Sequence, residues 1–115
     1  MTDEPNPRVS VYAEAAAAHG HATAEGDSRS ANAAHDRLAA VYRELRAEGE
    51  RARLLPLLKH AHPAVRTWAA AHALEFAPDQ GERVLEEVAA TEHSILGFDA
   101  KQTLSVWREG GLSFP

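Results

Sequence analysis

The stretch from His62 to Phe76, HPAVRTWAAAHALEF, most constrains what this chain can fold into. Val65, Ala69, Ala70, Ala73, Leu74 and Phe76 put apolar groups on more than one face of a helix. Other elements must cover such a helix on both sides. Thirty residues on, the pattern returns: Leu54, Leu55, Leu58, Val65, Ala70 and Leu74 map onto Val84, Leu85, Val88, Ile95, Ala100 and Leu104. Matches at one fixed offset predict a helical repeat. Stacked repeats serve scaffolding or binding more readily than chemistry.

The 115 residues suffice for one compact core. Much of the apolar share is alanine, the best helix former, and only three Phe, two Trp and two Tyr are present. That balance suits closely packed helices and not a sheet, which favours β-branched and aromatic residues. The absence of cysteine excludes disulfides, thiolate catalysis and thiolate metal sites. The opening MTDEPNPRVS is acidic and lacks an apolar segment, so it does not read as a secretory signal. No run approaches the roughly 18 apolar residues that cross a bilayer. The expectation is a cytoplasmic protein without membrane contact.

A net charge of −5 argues against nucleic acid as a partner, because holding phosphates requires clustered Lys and Arg. The charge is uneven. Residues 43–66 carry Arg43, Arg46, Arg51, Arg53, Lys59 and Arg66 against Glu44, Glu48 and Glu50. Residues 75–92 carry Glu75, Asp79, Glu82, Glu86, Glu87 and Glu92 against Arg83 alone.

Residues 1–7 read as a disordered lead-in, 8–111 as a single helical-repeat domain and 112–115 as a tail. A first helix is expected from about Arg8 to Glu25, its stripe being Val11, Ala15, Ala18 and Ala22. Gly26 ends it, and Asp27 or Ser28 caps a second helix running to Glu48. Gly49 closes that one. A third covers Glu50–Lys59 around Pro56, and a fourth starts at Pro63 and stops before Pro78. The fifth spans Asp79–Thr91, with Asp79 as N-cap and Glu82 completing a capping box. The sixth spans Phe98–Glu109 with Ala100, Leu104 and Trp107 inward. Short connections make neighbours antiparallel. The predicted architecture is all-α: six helices in three antiparallel hairpins, stacked as a right-handed superhelix.

Few residues suggest chemistry. His19 and His21, and His60 and His62, form His-x-His pairs, but no third ligand at motif spacing supports a metal, so they read as surface and turn residues. His72 reads as a partly buried histidine bonded to a carbonyl or carboxylate. Arg66 reads as a strut bonding to a neighbouring helix end, or as an anchor for a ligand or partner. Trp68 and Trp107 read as core, or as interface anchors if exposed. Asn32 reads as an amide bonding across to another helix. No phosphate loop, nucleophile elbow or nucleotide fingerprint is present, so neither a catalytic residue nor a cofactor is assigned.

HPAVRTWAAAHALEFAP resembles the second helix of a HEAT-type repeat, through Pro63, Val65, Arg66, Ala69, Ala70 and Leu74. The last repeat departs from that pattern, with Leu96 in place of the Arg and Asp99 opposite Ala69, as in a terminal cap with a polar outer face. The region from Asp27 to Gly110 resembles a family of small bacterial helical proteins classed as a domain of unknown function. The HEAT/ARM-like resemblance implies a protein-binding role, and small bacterial proteins of this kind include immunity proteins that neutralise toxins. Nuclease toxins are basic because they hold phosphates, so an acidic inhibitor would compete for that surface.

The leading expectation is therefore a non-enzymatic protein-interaction module, an immunity-type inhibitor of a basic toxin, using Glu75, Asp79, Glu82, Glu86 and Arg66. The alternative is a small-molecule-binding or regulatory domain with a site near Arg66, Trp68 and His72. An enzyme using His60, His62 or His72 is a third reading.

Overall fold

The computed structural model describes residues 6–115. Of the expected lead-in, residues 1–5 lie outside the described residues, and Pro7 already opens a helix. Among the described residues there are six helices and no strand. They are α1 (Pro7–Ala24), α2 (Ser28–Ala47), a 3₁₀ helix (Arg51–Lys59), α3 (Pro63–Phe76), α4 (Pro78–Thr91) and α5 (Ile95–Arg108). The chain divides into two compact units, one reaching to Arg53 and one comprising Leu54–Phe114.

The first unit is the α1–α2 hairpin. Asn6 caps α1 by accepting the Arg8 N–H at 2.8 Å, and Pro7 supplies a preset first-turn φ. Asp27 caps α2 through the Ser30 N–H (3.1 Å) and hydroxyl (2.7 Å), and the hydroxyl bond above all holds its carboxyl below the usual range. Gly26 ends α1 at φ +71°, where its N–H reaches the Thr23 carbonyl and that of Asp27 reaches Ala22. This paired closure requires a left-handed residue, which glycine adopts without a Cβ penalty. Arg8 bonds Glu44 at 3.1 Å and Glu48 at 3.0 Å, so the start of α1 lies beside the end of α2 and the pair is antiparallel. Tyr12, Ala15, Ala16 and Ala22 are buried on α1, against Leu38, Tyr42 and Leu45 among others on α2. Tyr12 thus belongs to the stripe, and Ala18, expected there, is exposed.

The second unit holds α3, α4 and α5. The stretch from Arg51 to Lys59 is 3₁₀ rather than α. Pro56 has no N–H for an α bond and crowds the carbonyl four residues back. The tighter three-residue turn aligns Leu54 with Leu57, and both are buried. His62 caps α3 by accepting the Ala64 N–H at 3.1 Å, with Pro63 at the first position. Buried residues are spread around α3: Val65, Ala69, Ala70, Ala73 and Leu74. Helix α4 packs against both α3 and α5, and α3 also touches α5.

Gly81 marks how closely α3 and α4 approach. A Cβ there would lie 2.6 Å from the Ala70 carbonyl oxygen and 3.0 Å from the Leu74 nitrogen, both backbone atoms. Alanine on α3 and glycine on α4 are what allow the contact.

Two helix starts differ from expectation. Asp79 is not an N-cap. Ala77 holds that position with no side-chain bond, because Pro78 opens α4 and leaves Asp79 inside the first turn, where its charge meets the helix dipole. The capping box with Glu82 accordingly does not form. Helix α5 begins at Ile95, three residues before Phe98, because Ser94 accepts the Leu96 N–H at 3.3 Å.

Two stability tests follow from this packing. Gly81→Ala gains about 1 kcal/mol in helix propensity, yet overpacking against backbone costs ~1–3 kcal/mol. A net loss near 1 kcal/mol, seen as a Tm lower by about 4–8 °C, is expected by calorimetry. An unchanged Tm would mean the seam is looser than described. Burial first, and the neighbouring Tyr42 second, push the Tyr12 phenol well above its ordinary value of 10.0. The folded state keeps that proton after the unfolded chain has lost it, so stability is full below about pH 10 and falls as pH rises beyond it. Urea midpoints between pH 9 and 11.5 should fall less steeply in Tyr12→Phe than in the parent.

Candidate functional site

The second unit carries the features that could meet a ligand or partner. On α4, Glu82 and Glu86 stand one turn apart. Arg108, in the last turn of α5, donates from Nε (3.1 Å) and Nη2 (2.8 Å) to Glu82 and from Nη2 to Glu86 at 3.3 Å. The hydrogen bond to Glu82, chiefly, raises the Arg108 pKa further. The bridge sets the end of α5 beside the start of α4 and fixes these helices antiparallel. Asp79 is exposed one turn before Glu82, and Glu75 is half-buried near the end of α3. The acidic stripe is therefore an ion-paired edge at Glu82 and Glu86, with Asp79 beyond it.

Beside this edge a groove of about 750 Å³ runs between α4 and α5, from Glu86 and His93 on one wall to Lys101, Ser105 and Arg108 on the other, with Leu104 at its base. Next round α5 come Phe98, Ile95 and Val106, which are 61%, 47% and 38% exposed. At 3.6 residues per turn these three fall within about 80° of one another, roughly opposite the buried Ala100 and Leu104. A terminal cap with a polar outer face was expected here; the exposed residues of α5 include the polar Lys101, Gln102 and Ser105, with Gln102 between Phe98 and Val106, as well as these three apolar groups. Large apolar groups gathered on one face mark interaction surfaces more often than single scattered ones do.

Arg66 lies elsewhere, on α3. Its Nη1 donates to the carbonyls of His60 (2.8 Å) and Ala61 (3.2 Å), closing the turn that precedes its own helix. Its Nε is buried without a partner among the described residues. The same turn occupies both histidines: Nδ1 of His60 accepts the His62 N–H at 3.0 Å, and Nδ1 of His62 caps α3. No group of three or more metal-ligating side chains occurs among the described residues. Arg66 also lines a cleft of about 520 Å³ with Lys59, Gln80, Arg83, Glu87 and the apolar Leu55, Leu58 and Val84.

Trp68 and His72 do not share that cleft. Their rings lie 5.8 Å apart at 38°; His72 is 3% exposed, whereas Trp68 is half-buried. The sequence placed Arg66, Trp68 and His72 at one site; the structure leaves Arg66 on a cleft wall and turns His72 inward. Asn32 is exposed on α2. Lys59 and Arg83, which line the cleft, and Arg108, which meets Glu82 and Glu86, were missed because both arrangements depend on tertiary packing. Ile95, Phe98 and Val106 were legible in principle, as a second apolar stripe on a helix whose first stripe is Ala100 and Leu104.

The described residues thus form an all-helical fold with an ion-paired α4–α5 edge and three exposed apolar side chains on α5. The chain belongs to the family described as a domain of unknown function, DUF2019, whose model matches residues 6–107. No curated protein and no solved structure matches it.

Arg66 offers a local test. Arg66→Ala removes both carbonyl bonds together with the buried unpaired Nε. Because the two bonds are charge-assisted, a net loss of ~1–3 kcal/mol is expected. Exchange of the hydrogen-bonded amides of His62 and Ala64 should accelerate with it. Unchanged exchange would remove Arg66 from the closure of this turn.

Proposed function

We propose that this chain is a non-enzymatic protein-binding module of HEAT/ARM-like, right-handed superhelical type, working in the bacterial cytoplasm. Its partner is a basic protein, and an immunity-type inhibitor of a basic toxin is the form this reading takes. The observation that carries it is the exposure of three large apolar residues on one side of α5, Ile95, Phe98 and Val106, around Gln102 and in the acidic part of the chain. Residues 78–111 hold Asp79, Glu82, Glu86, Glu87, Glu92, Asp99 and Glu109 against Arg83, Lys101 and Arg108. Such a surface offers apolar anchors for affinity and a negative field for steering and orientation. Glu75, Asp79, Glu82 and Glu86 supply the field. Arg108 holds Glu82 and Glu86 in place beforehand, which lowers the entropy lost on docking. Arg66, tied to its own turn, lies outside this face.

A photo-crosslinking phenylalanine at position 98, introduced in the native host, tests the reading, with position 32 as an exposed control. The expected product is an adduct with a basic protein, found at position 98 and not at 32. With that partner purified, Phe98→Ala should weaken binding by about tenfold or more. Glu82→Lys with Glu86→Lys should lower the association rate about tenfold at low salt, the gap closing as salt rises. Adducts identical at both positions, or only between copies of this chain, would overturn the proposal.

A further inference from the structure

We infer that the cleft between the 3₁₀ helix, α3 and α4 is a binding site for a small amphipathic anion, a carboxylate on an aliphatic body. Three cations line it, Lys59, Arg66 and Arg83, against the one carboxylate of Glu87. Among the described residues neither Lys59 nor Arg83 forms an ion pair or side-chain hydrogen bond. Arg83 and Glu87 stand four residues apart on α4, a spacing that commonly pairs, yet they remain unpaired. Arg66 is different: two backbone carbonyls hold its Nη1, so it contributes a fixed charge, and its Nη2 makes no bond among the described residues. The cleft thus keeps a formal excess of two positive charges, and its Lys59 and Arg83 are engaged by no side chain among the described residues.

The rest of the lining decides the ligand. Leu55, Leu58 and Val84 give the cleft an apolar side, and its volume of about 520 Å³ lies in the range of small-molecule sites. A bare inorganic anion would leave that apolar surface wet. A wholly apolar ligand would strip water from three cations without replacing it. An anion with an aliphatic body satisfies both halves, its head among Lys59, Arg66 and Arg83 and its chain along the leucines and valine. The site is separate from the outer face of α5, so it stands or falls independently of the proposed protein partner.

The test titrates the full chain, labelled for nuclear magnetic resonance, with octanoate, octyltrimethylammonium and inorganic phosphate in turn. Octanoate should give saturable shifts at the Leu58 and Val84 methyls and at the Arg83 Nε–H. Neither of the other probes should saturate there. Lys59→Glu with Arg83→Glu should raise the octanoate Kd at least tenfold, with the remaining amide spectrum retained. Should that double variant fail to fold, Lys59→Gln with Arg83→Gln reads out the same loss. An equal response to the cationic amphiphile would reduce the cleft to apolar adsorption. Saturation by phosphate alone would make it a simple anion site. The absence of any saturable octanoate shift would remove the site altogether.

Discussion

The contact of α3 with α4 governs the second unit. Where most helix pairs are held apart by side chains, Gly81 lets the backbone of α4 come against the Ala70 carbonyl and the Leu74 amide of α3. Ala70 and Ala73 make the same closeness possible from the other side. Dispersion between so many close-packed atoms replaces the area that larger side chains would bury. The position of α4 in turn fixes where Arg83 stands relative to Lys59 and Arg66, and where Glu82 and Glu86 meet Arg108. Both candidate surfaces are thus downstream of one small-residue seam.

Charge is sorted on this scaffold in two ways. At Arg108 the fold consumes it: one guanidinium is shared between two carboxylates across α4 and α5. Exposed pairs of this kind add little to stability, but they hold long side chains in defined positions. At the cleft the opposite holds, and cations gather with a single carboxylate near them. The proposed anion site rests on this contrast between shared charge at Arg108 and the cations that gather at the cleft.

The sequence made the helices legible because their punctuation is local. Gly26, Gly49 and Gly110 each sit at positive φ just past a helix, and Pro63 opens one, as read; Pro7 and Pro78 also open helices, where the sequence had suggested a lead-in and a cap at Asp79. The inward positions Leu58, Val88, Ala70, Ala100, Leu74 and Leu104, paired at the thirty-residue offset, are all buried. The same offset misled at its edge. Val65 is fully buried, whereas its counterpart Ile95, at the first position of α5, is 47% exposed. The turn at Pro78 was misread for a different reason: Asp79 has the right chemistry for a cap, but proline one residue earlier had already started the helix. Meetings such as Lys59 with Arg83 arise from tertiary geometry and leave no mark in a single sequence.

Ala77 closes α3 and opens α4 at once, with its N–H bonded to the Ala73 carbonyl at 2.6 Å and its own carbonyl accepting from Gly81 at 3.0 Å. A joint one residue long has no slack. An extra residue inserted there would rotate all of α4 by about 100° relative to the corner. Gln80 would then arrive where Gly81 now lies, bringing a side chain into a gap that excludes even a methyl. Length variation among relatives should therefore accumulate in other connections, while this corner keeps its residue count.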